Sequence, residues 1–309
     1  MIESIAFEDV SAELAGQDVL RRVSFAVAPG EIAAVFGGAG SGKSSLLHVL
    51  CGLLAPSSGV VRVLDRPVTS LYKRVSRAVS LGMQSPCFAP ELSVQENLEL
   101  QAALWGVPWR KRINRVAFVS RLLGLDTLQR IRASRLSDGQ KKALEIARAL
   151  IPDATVVALD SLVDYLDPNV RGPLFRYFFE TARKDLTTFL ISTSSPDVAE
   201  MCDRVVMLRA GQAVGVATPE EIHSNAPDSV VVVRTADNPL LRRKISERFQ
   251  VVVREDNDGL RFSLPNGDQA AAEILSSSDS QVACIRVRRQ NLFEILDSLP
   301  LAGRDWRVG

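Results

Sequence analysis

The stretch Ile32-Ala33-Ala34-Val35-Phe36-Gly37-Gly38-Ala39-Gly40-Ser41-Gly42-Lys43-Ser44-Ser45 decides how this chain is read. Its first residues, Ile32 to Phe36, are an unbroken apolar run, and Lys43 to Leu53 has helix character. Between them, Gly37 to Ser44 fits G-x-x-x-x-G-K-[ST] without a mismatch, in the strand, loop, helix order that the pattern requires. Glycines let such a loop curl until successive N–H groups point inward, and the helix N-terminus adds its positive dipole end, which suits phosphate. Lys43 is placed to reach β- and γ-phosphates, and the Ser44 hydroxyl to meet Mg²⁺. The expected phosphate-binding residues are Gly37, Gly38, Ala39, Gly40, Ser41, Gly42, Lys43, Ser44 and Ser45.

Outward from this loop, Ile5 to Val10 and Val23 to Val27 read as strands, with Pro29-Gly30 turning the chain into Ile32. Val60 to Leu64, Ala78 to Leu81, Thr155 to Leu159 and Thr187 to Ser192 read as further strands. Helices are expected over Val94 to about Leu125, after Leu136, and over Asn169 to Arg183. Trp105, Trp109, Phe118 and Leu122-Leu123 read as core or docking residues of the first helical block, with core packing the preferred assignment. Alternating apolar strands and helices imply a mainly parallel sheet with helices on its faces, an α/β design.

Length and charge narrow the rest. A chain of 309 residues suggests roughly two domains. A net charge of +1 argues against a dedicated nucleic-acid binder, which would carry a basic face. Cys51, Cys87, Cys202 and Cys284 are isolated, with no metal-ligand spacing. The start, Met1-Ile2-Glu3-Ser4, has no signal-peptide character, and no 18-residue apolar run occurs. The expected location is the cytosol.

The downstream motifs choose among phosphate-loop families. Leu136-Ser137-Asp138-Gly139-Gln140 resembles the LSGGQ signature of ATP-binding cassette (ABC) ATPases, with Asp138 replacing one Gly. It precedes the strand that ends in Asp160, the family's order. Gln84 in Gly82-Met83-Gln84-Ser85 resembles the Q-loop glutamine, Leu92-Ser93-Val94-Gln95-Glu96-Asn97-Leu98 the L-[ST]-V-x-E-N-L that follows it, and Leu166-Asp167-Pro168 the D-loop. Taken singly each is weak, since Ser137 could simply cap a helix; in order around the phosphate loop they point to the ABC family. The resemblance covers residues 1 to about 222. It implies ATP and Mg²⁺ as ligands, with Ser44, Gln84 and Asp160 at the metal. It also implies that Leu136 to Gln140 face a nucleotide held by a second ABC ATPase, with Asp167 in the D-loop, and that an integral-membrane permease is the further partner. The chain would then sit peripherally on the cytosolic face of the membrane.

Three departures from the family stand out. Ser161 follows Asp160 where the resemblance implies a water-polarising Glu, and Ser194 stands where it implies the switch His. A serine is no carboxylate base, and general-base catalysis is typically worth about 10²- to 10⁴-fold. The histidines, His48 and His223, lie elsewhere. Leu14 takes the place of the usual adenine-stacking aromatic residue, and Asp164 is the one nearby alternative carboxylate. The binding groups are kept while those acting on water and γ-phosphate are missing. This implies a subunit that holds ATP, hydrolyses it poorly, and pairs with an active ATPase; a homodimer, or a non-hydrolytic regulatory or scaffold protein, is the competing reading.

Residues 1–222 form the expected nucleotide-binding domain, an ABC-type P-loop fold with a RecA-like core, an antiparallel β subdomain and a helical subdomain at about 85–135. The polar stretch 223–228 reads as a linker. In 229–309, strands Val230–Arg234, Val251–Arg254, Leu260–Leu264 and Val282–Val287 alternate with helices Pro239–Phe249, Asp268–Leu275 and Leu292–Leu299, with Asn257-Asp258-Gly259 as a turn. That order suggests a small ferredoxin-like α+β domain. The segment Arg286 to Leu296 is loosely similar to the tail of family members that export drugs, polysaccharides or lipids, and favours export; an importer's regulatory tail is the other assignment.

Overall fold

The computed structural model describes residues 3–68, 78–225, 229–235, 238–256, 259–277 and 282–299. Strand β1 (Ile5–Leu14) pairs antiparallel with β2 (Gln17–Val27) and with β4 (Ser58–Val63), which in turn pairs with β5 (Arg66–Pro67). Phe7 and Phe25 face each other across the first pair and stack at 4.7 Å. Strand β3 (Ile32–Phe36) belongs to a different sheet and is buried at every position. Side chains of a strand covered on both faces need not alternate, which is why its sequence is a solid apolar run. Its neighbours are β6 (Val79–Gly82), β7 (Val156–Asp160), β8 (Thr188–Thr193), β9 (Arg204–Arg209) and β10 (Gln212–Ala217). They lie in the order β10-β9-β3-β8-β7-β6, all parallel except the β10 edge. Helix α1 (Lys43–Leu50) leaves β3 and buries Leu46, Leu47, Val49 and Leu50 in a core shared by the two sheets.

The expected helical block resolves into α2 (Val94–Leu104) and α3 (Trp109–Leu122), broken where Gly106 turns left-handed at φ 71° and Pro108 caps α3. The core assignment of Trp109 and Phe118 is corrected: they are 68% and 44% exposed, whereas Leu123 is buried. The reason is geometric. Helix α3 buries Val116, Val119 and Ser120; Trp109 precedes that stretch, and Phe118 lies to one side, its ring 5.3 Å from that of Tyr177. Beyond them come α4 (Asp138–Leu150), a 3₁₀ turn (Val163–Tyr165), α5 (Pro168–Asp185) and α6 (Pro196–Glu200).

The chain divides into two units, 1–219 with 299–309, and 220–298. Helix α7 (Pro219–Asn225) occupies part of the stretch read as a linker; Ala226, Pro227 and Asp228 lie outside the described residues. Its helical course is explained by Pro219 at the start followed by Glu220 and Glu221, a favourable first turn that composition alone had hidden.

The second unit holds β11 (Ser229–Thr235), α8 (Asn238–Phe249), β12 (Arg254–Asp256), β13 (Gly259–Leu264), α9 (Gly267–Ser277), β14 (Val282–Arg289) and α10 (Leu292–Ser298). Its sheet order is β12-β13-β11-β14 with every pairing antiparallel, the ferredoxin-like arrangement. Val231, Val233, Leu241, Ile245, Phe262 and Ile274 fill its core. Within the expected strand Val251–Arg254, only Arg254 is in β12, and Val252 is 81% exposed. Asn257 and Asp258 of the expected turn lie outside the described residues.

Candidate functional site

Strands β3, β8 and β7 are parallel neighbours, so the loops leaving their C-terminal ends meet at one edge of the sheet, where open α/β sheets place ligands. The loop after β3 needs its glycines. Gly42 adopts φ 104°, and a Cβ there would come within 2.6 Å of the Val19 carbonyl oxygen. A Cβ on Gly37 would lie 2.3 Å from the Leu208 carbonyl oxygen. Gly42 is also the N-cap of α1, without a side chain to cap it, and the first turn holds no acid. The helix therefore supplies no acidic counter-charge of its own at its positive end, which favours receiving an anion there. Ser41 Oγ is buried and has no hydrogen-bond partner among the described residues.

Lys43 lies along this loop. It is buried, and its Nζ donates to the carbonyl oxygens of Gly37 at 2.7 Å and Gly38 at 2.8 Å. Burial pulls its pKa below the ordinary lysine range, against the opposing pull of Asp164 and Asp160.

Asp160 ends β7 almost fully buried, and one of its oxygens accepts two hydroxyl hydrogen bonds. Ser44 Oγ donates to Oδ1 at 3.0 Å and Ser192 Oγ at 2.7 Å. A hydroxyl and a carboxylate in contact beside a phosphate cradle are the hard oxygen donors that suit Mg²⁺. Ser44 and Asp160 would hold that ion, which when bound screens phosphate charge. Gln84 is exposed and shares no hydrogen bond with either among the described residues, while its backbone carbonyl accepts from Lys142 Nζ.

Ser161 and Ser194 are tied into the same network. Ser161 adopts φ 49°; its N–H donates to Ser192 Oγ at 2.9 Å, and its hydroxyl lies 3.2 Å from the same oxygen. Ser194 Oγ donates to the Gly37 carbonyl at 3.0 Å. Asp164 accepts on both oxygens. Its Oδ1 accepts from Thr193 Oγ1 and its Oδ2 from the Ser194 N–H at 2.9 Å, binding the 3₁₀ turn to the end of β8.

Leu136 to Gln140 open α4. Ser137 and Gln140 form a reciprocal capping box: Gln140 N donates to Ser137 Oγ at 3.3 Å and Ser137 N to Gln140 Oε1 at 2.9 Å. The side chain of Asp138 is 97% exposed at that helix end. Asp167 caps α5 by accepting from Asn169 N at 2.8 Å. Leu14 is 54% exposed at the end of β1.

Sequence reading missed three supports. Ser192 is the second hydroxyl on Asp160. Asn97, buried in α2, accepts from Ala89 N at 2.8 Å and donates to the carbonyls of Ala89, Leu92 and Ser93, fixing the loop ahead of α2. Glu145, buried in α4, accepts from the N–H groups of Cys87 and Phe88 and pairs with Arg148 at 2.8 Å. Burial raises the Glu145 pKa, although Arg148 and both amides favour its charged form. The available signal was a Glu and Arg three residues apart amid the apolar residues of α4. This pair, with Leu53, Leu81, Met83 and Trp105, lines a cavity of about 310 Å³.

The family model described as ABC transporter matches residues 20–163. The Nod factor export ATP-binding protein I of Rhizobium etli is 28% identical over 71% of this chain and 69% of that protein. The sulfate/thiosulfate import ATP-binding protein CysA of Thermosynechococcus vestitus is 28% identical over 87% of this chain and 82% of its own length. A solved structure of an ATP-binding subunit of an ABC transporter superposes with a TM-score of 0.66 at 25% identity, over 73% of this chain and 93% of that one. With a glycine cradle, a buried lysine and a Ser44–Asp160 pair at the sheet edge, the chain carries an ABC transporter ATP-binding domain.

Proposed function

We propose that this chain is the ATP-binding subunit of an ABC transporter, holding Mg-ATP at residues 37–45 while turning it over poorly in its own site. The observation that carries this reading is the division within one hydrogen-bonded network. Lys43, Ser44 and Asp160 stand together, while the positions beside them hold Ser161 and Ser194, which offer only hydroxyls. Loop amides and Lys43 bind and orient the phosphates, and Ser44 with Asp160 holds the cation. A hydroxyl on Ser161 cannot take the proton from an attacking water near neutral pH, which withholds about 3 to 5 kcal/mol of barrier lowering. Asp164 directs its two oxygens at Thr193 Oγ1 and the Ser194 N–H, and in this reading it serves to tie the turn to β8 and not as the base.

The proposal extends to partners. The exposed N-terminus of α4, with Ser137 to Gln140, faces the nucleotide of a second ABC ATPase that carries the missing Glu and His. The cavity lined by Met83 and Trp105 receives a segment of a separate membrane permease. Among the described residues no helix is long and apolar enough to cross a membrane. Relatives include an importer as well as an exporter, so the assignment of export rests on the tail segment Arg286 to Leu296, whose end forms the start of α10.

Calorimetry with Mg-ATP and a phosphate-release assay on the isolated chain test the core of this reading. Saturable binding with negligible phosphate release supports it. Absence of binding, or brisk turnover without a partner, contradicts it.

A further inference from the structure

The hairpin of α2 and α3 carries a surface that the nucleotide site does not use. Its tip exposes Leu104 (74%), Trp109 (68%) and Ile113 (64%), with Leu100 (44%) one turn behind Leu104. The spacings Leu100–Leu104 and Trp109–Ile113 are i, i+4, so each pair shares a helix face, and the short link at Gly106 to Pro108 puts the two pairs beside each other. Side chains this exposed protrude from the molecule; they do not line a groove. Arg110 and Lys111 flank Trp109 and are exposed, with no ion pair among the described residues, whereas Arg115 further along α3 meets Asp153 at 3.5 Å. No Asp or Glu occurs between Glu99 and Asp126.

We propose that this tip binds an anionic lipid surface, with Leu104, Trp109 and Ile113 entering the headgroup layer and Arg110 and Lys111 meeting lipid phosphates. The combination is what selects the partner. Protruding aliphatic groups gain only where an apolar phase can deform around them, an indole favours the boundary between that phase and water, and unpaired cations add attraction only if the surface is negative. A nucleic acid offers the charge without the apolar phase, and the acid-free run 100–125 leaves the tip itself with cations alone, the exposed acid Glu99 lying at the far end of the Leu100–Leu104 pair. Contact would set the orientation of the helical hairpin at the bilayer, whatever permease is present.

The test uses the full chain and sedimentation with vesicles of phosphatidylcholine, alone or with a third phosphatidylglycerol. At least tenfold stronger binding to the anionic vesicles, weakened by added salt, is expected. Trp109→Ala with Ile113→Ala, and separately Arg110→Glu with Lys111→Glu, should each lower that binding tenfold or more while keeping the wild-type melting temperature and Mg-ATP binding heat. Brominated lipid should quench a fluorescence component that Trp109→Phe removes. Equal binding to neutral and anionic vesicles, or anionic binding untouched by both double variants, overturns the proposal. Failure to bind vesicles with Mg-ATP binding intact overturns it while leaving the nucleotide reading standing; vesicle binding without Mg-ATP binding does the reverse.

Discussion

Replacing Ser161 by Glu restores a carboxylate next to Asp160, and the structure sets both what is lost and what is gained. Lost is the 3.2 Å contact between the Ser161 and Ser192 hydroxyls, a neutral hydrogen bond worth about 0.5–1.5 kcal/mol. The Ser161 N–H, a backbone donor, keeps its bond to Ser192 Oγ, and Ser192 keeps Asp160, so the cation-holding pair is undisturbed. The left-handed backbone at residue 161 strains Glu no more than Ser, since both carry a Cβ. Gained is a general base whose pKa is held up by the neighbouring Asp160 charge, in the direction a base near neutral pH requires. The expected outcome is a rise in phosphate release of about 10²-fold or more over wild type, equal to roughly 3 kcal/mol, against a small drop in melting temperature. The assay is steady-state phosphate release at protein concentrations high enough for two copies to face each other, with Ser161→Gln as the uncharged control. If Ser161→Glu is no faster than Ser161→Gln, or if wild type already turns over rapidly, the missing carboxylate is not what limits this site.

Three other perturbations probe separate parts of the network. Ser44→Ala removes the hydroxyl that meets Asp160 at 3.0 Å. It should weaken nucleotide binding about tenfold with Mg²⁺ present, in line with a charge-assisted bond of ~1.5–3 kcal/mol, yet change little when the cation is chelated; equal losses with and without Mg²⁺ would place Ser44 outside the metal site. Asn97→Ala deletes a buried amide that anchors the loop before α2 and should cost about 2–4 kcal/mol in urea unfolding, with faster amide exchange at Ala89. Because burial raises the Glu145 pKa, the native state holds its proton more tightly than the unfolded chain. That contribution to stability is complete below the unfolded carboxylate pKa and is lost as pH rises through the raised native value. Stability against pH for Glu145→Gln should lack this fall; an unchanged slope would show that the group titrates normally.

Much of the fold was legible because local signals and burial agree. Ile32 to Phe36 is apolar at each position and buried at each position, and the ferredoxin-like order of the second unit follows from strands and helices whose bounds shifted by only a few residues, apart from Val251 to Val253. What failed were inferences from residue type alone. Trp109 and Phe118 are large and apolar, but the packing stripe of α3 does not pass through them. His223 to Asn225 are polar, but they extend a helix that starts with Pro and two acids. At the site, the phosphate loop and Asp160 announce themselves by spacing, and Asn97 sits inside a recognisable motif with partners 4 to 8 residues away, whereas Ser192 reaches Asp160 across 32 residues and Glu145 reaches Phe88 across 57, contacts that no local pattern encodes. Gln84, placed at the metal by resemblance, is exposed and shares no hydrogen bond with Ser44 or Asp160 among the described residues.

With serine at positions 161 and 194 the site is well organised. Ser192 bridges Asp160 to Ser161, and Ser194 bridges the phosphate loop to the turn that carries Asp164, so the ends of β3, β7 and β8 remain stitched by short hydroxyl and amide contacts. Small neutral side chains can make those stitches, whereas proton transfer demands a group whose pKa lies near the working pH. Binding draws on loop amides, a helix end and Lys43, none of which depends on residues 161 or 194 for its charge. The two tasks are therefore separable at one end of one sheet, and a site that lacked the chemistry would have no obligatory loss of the grip.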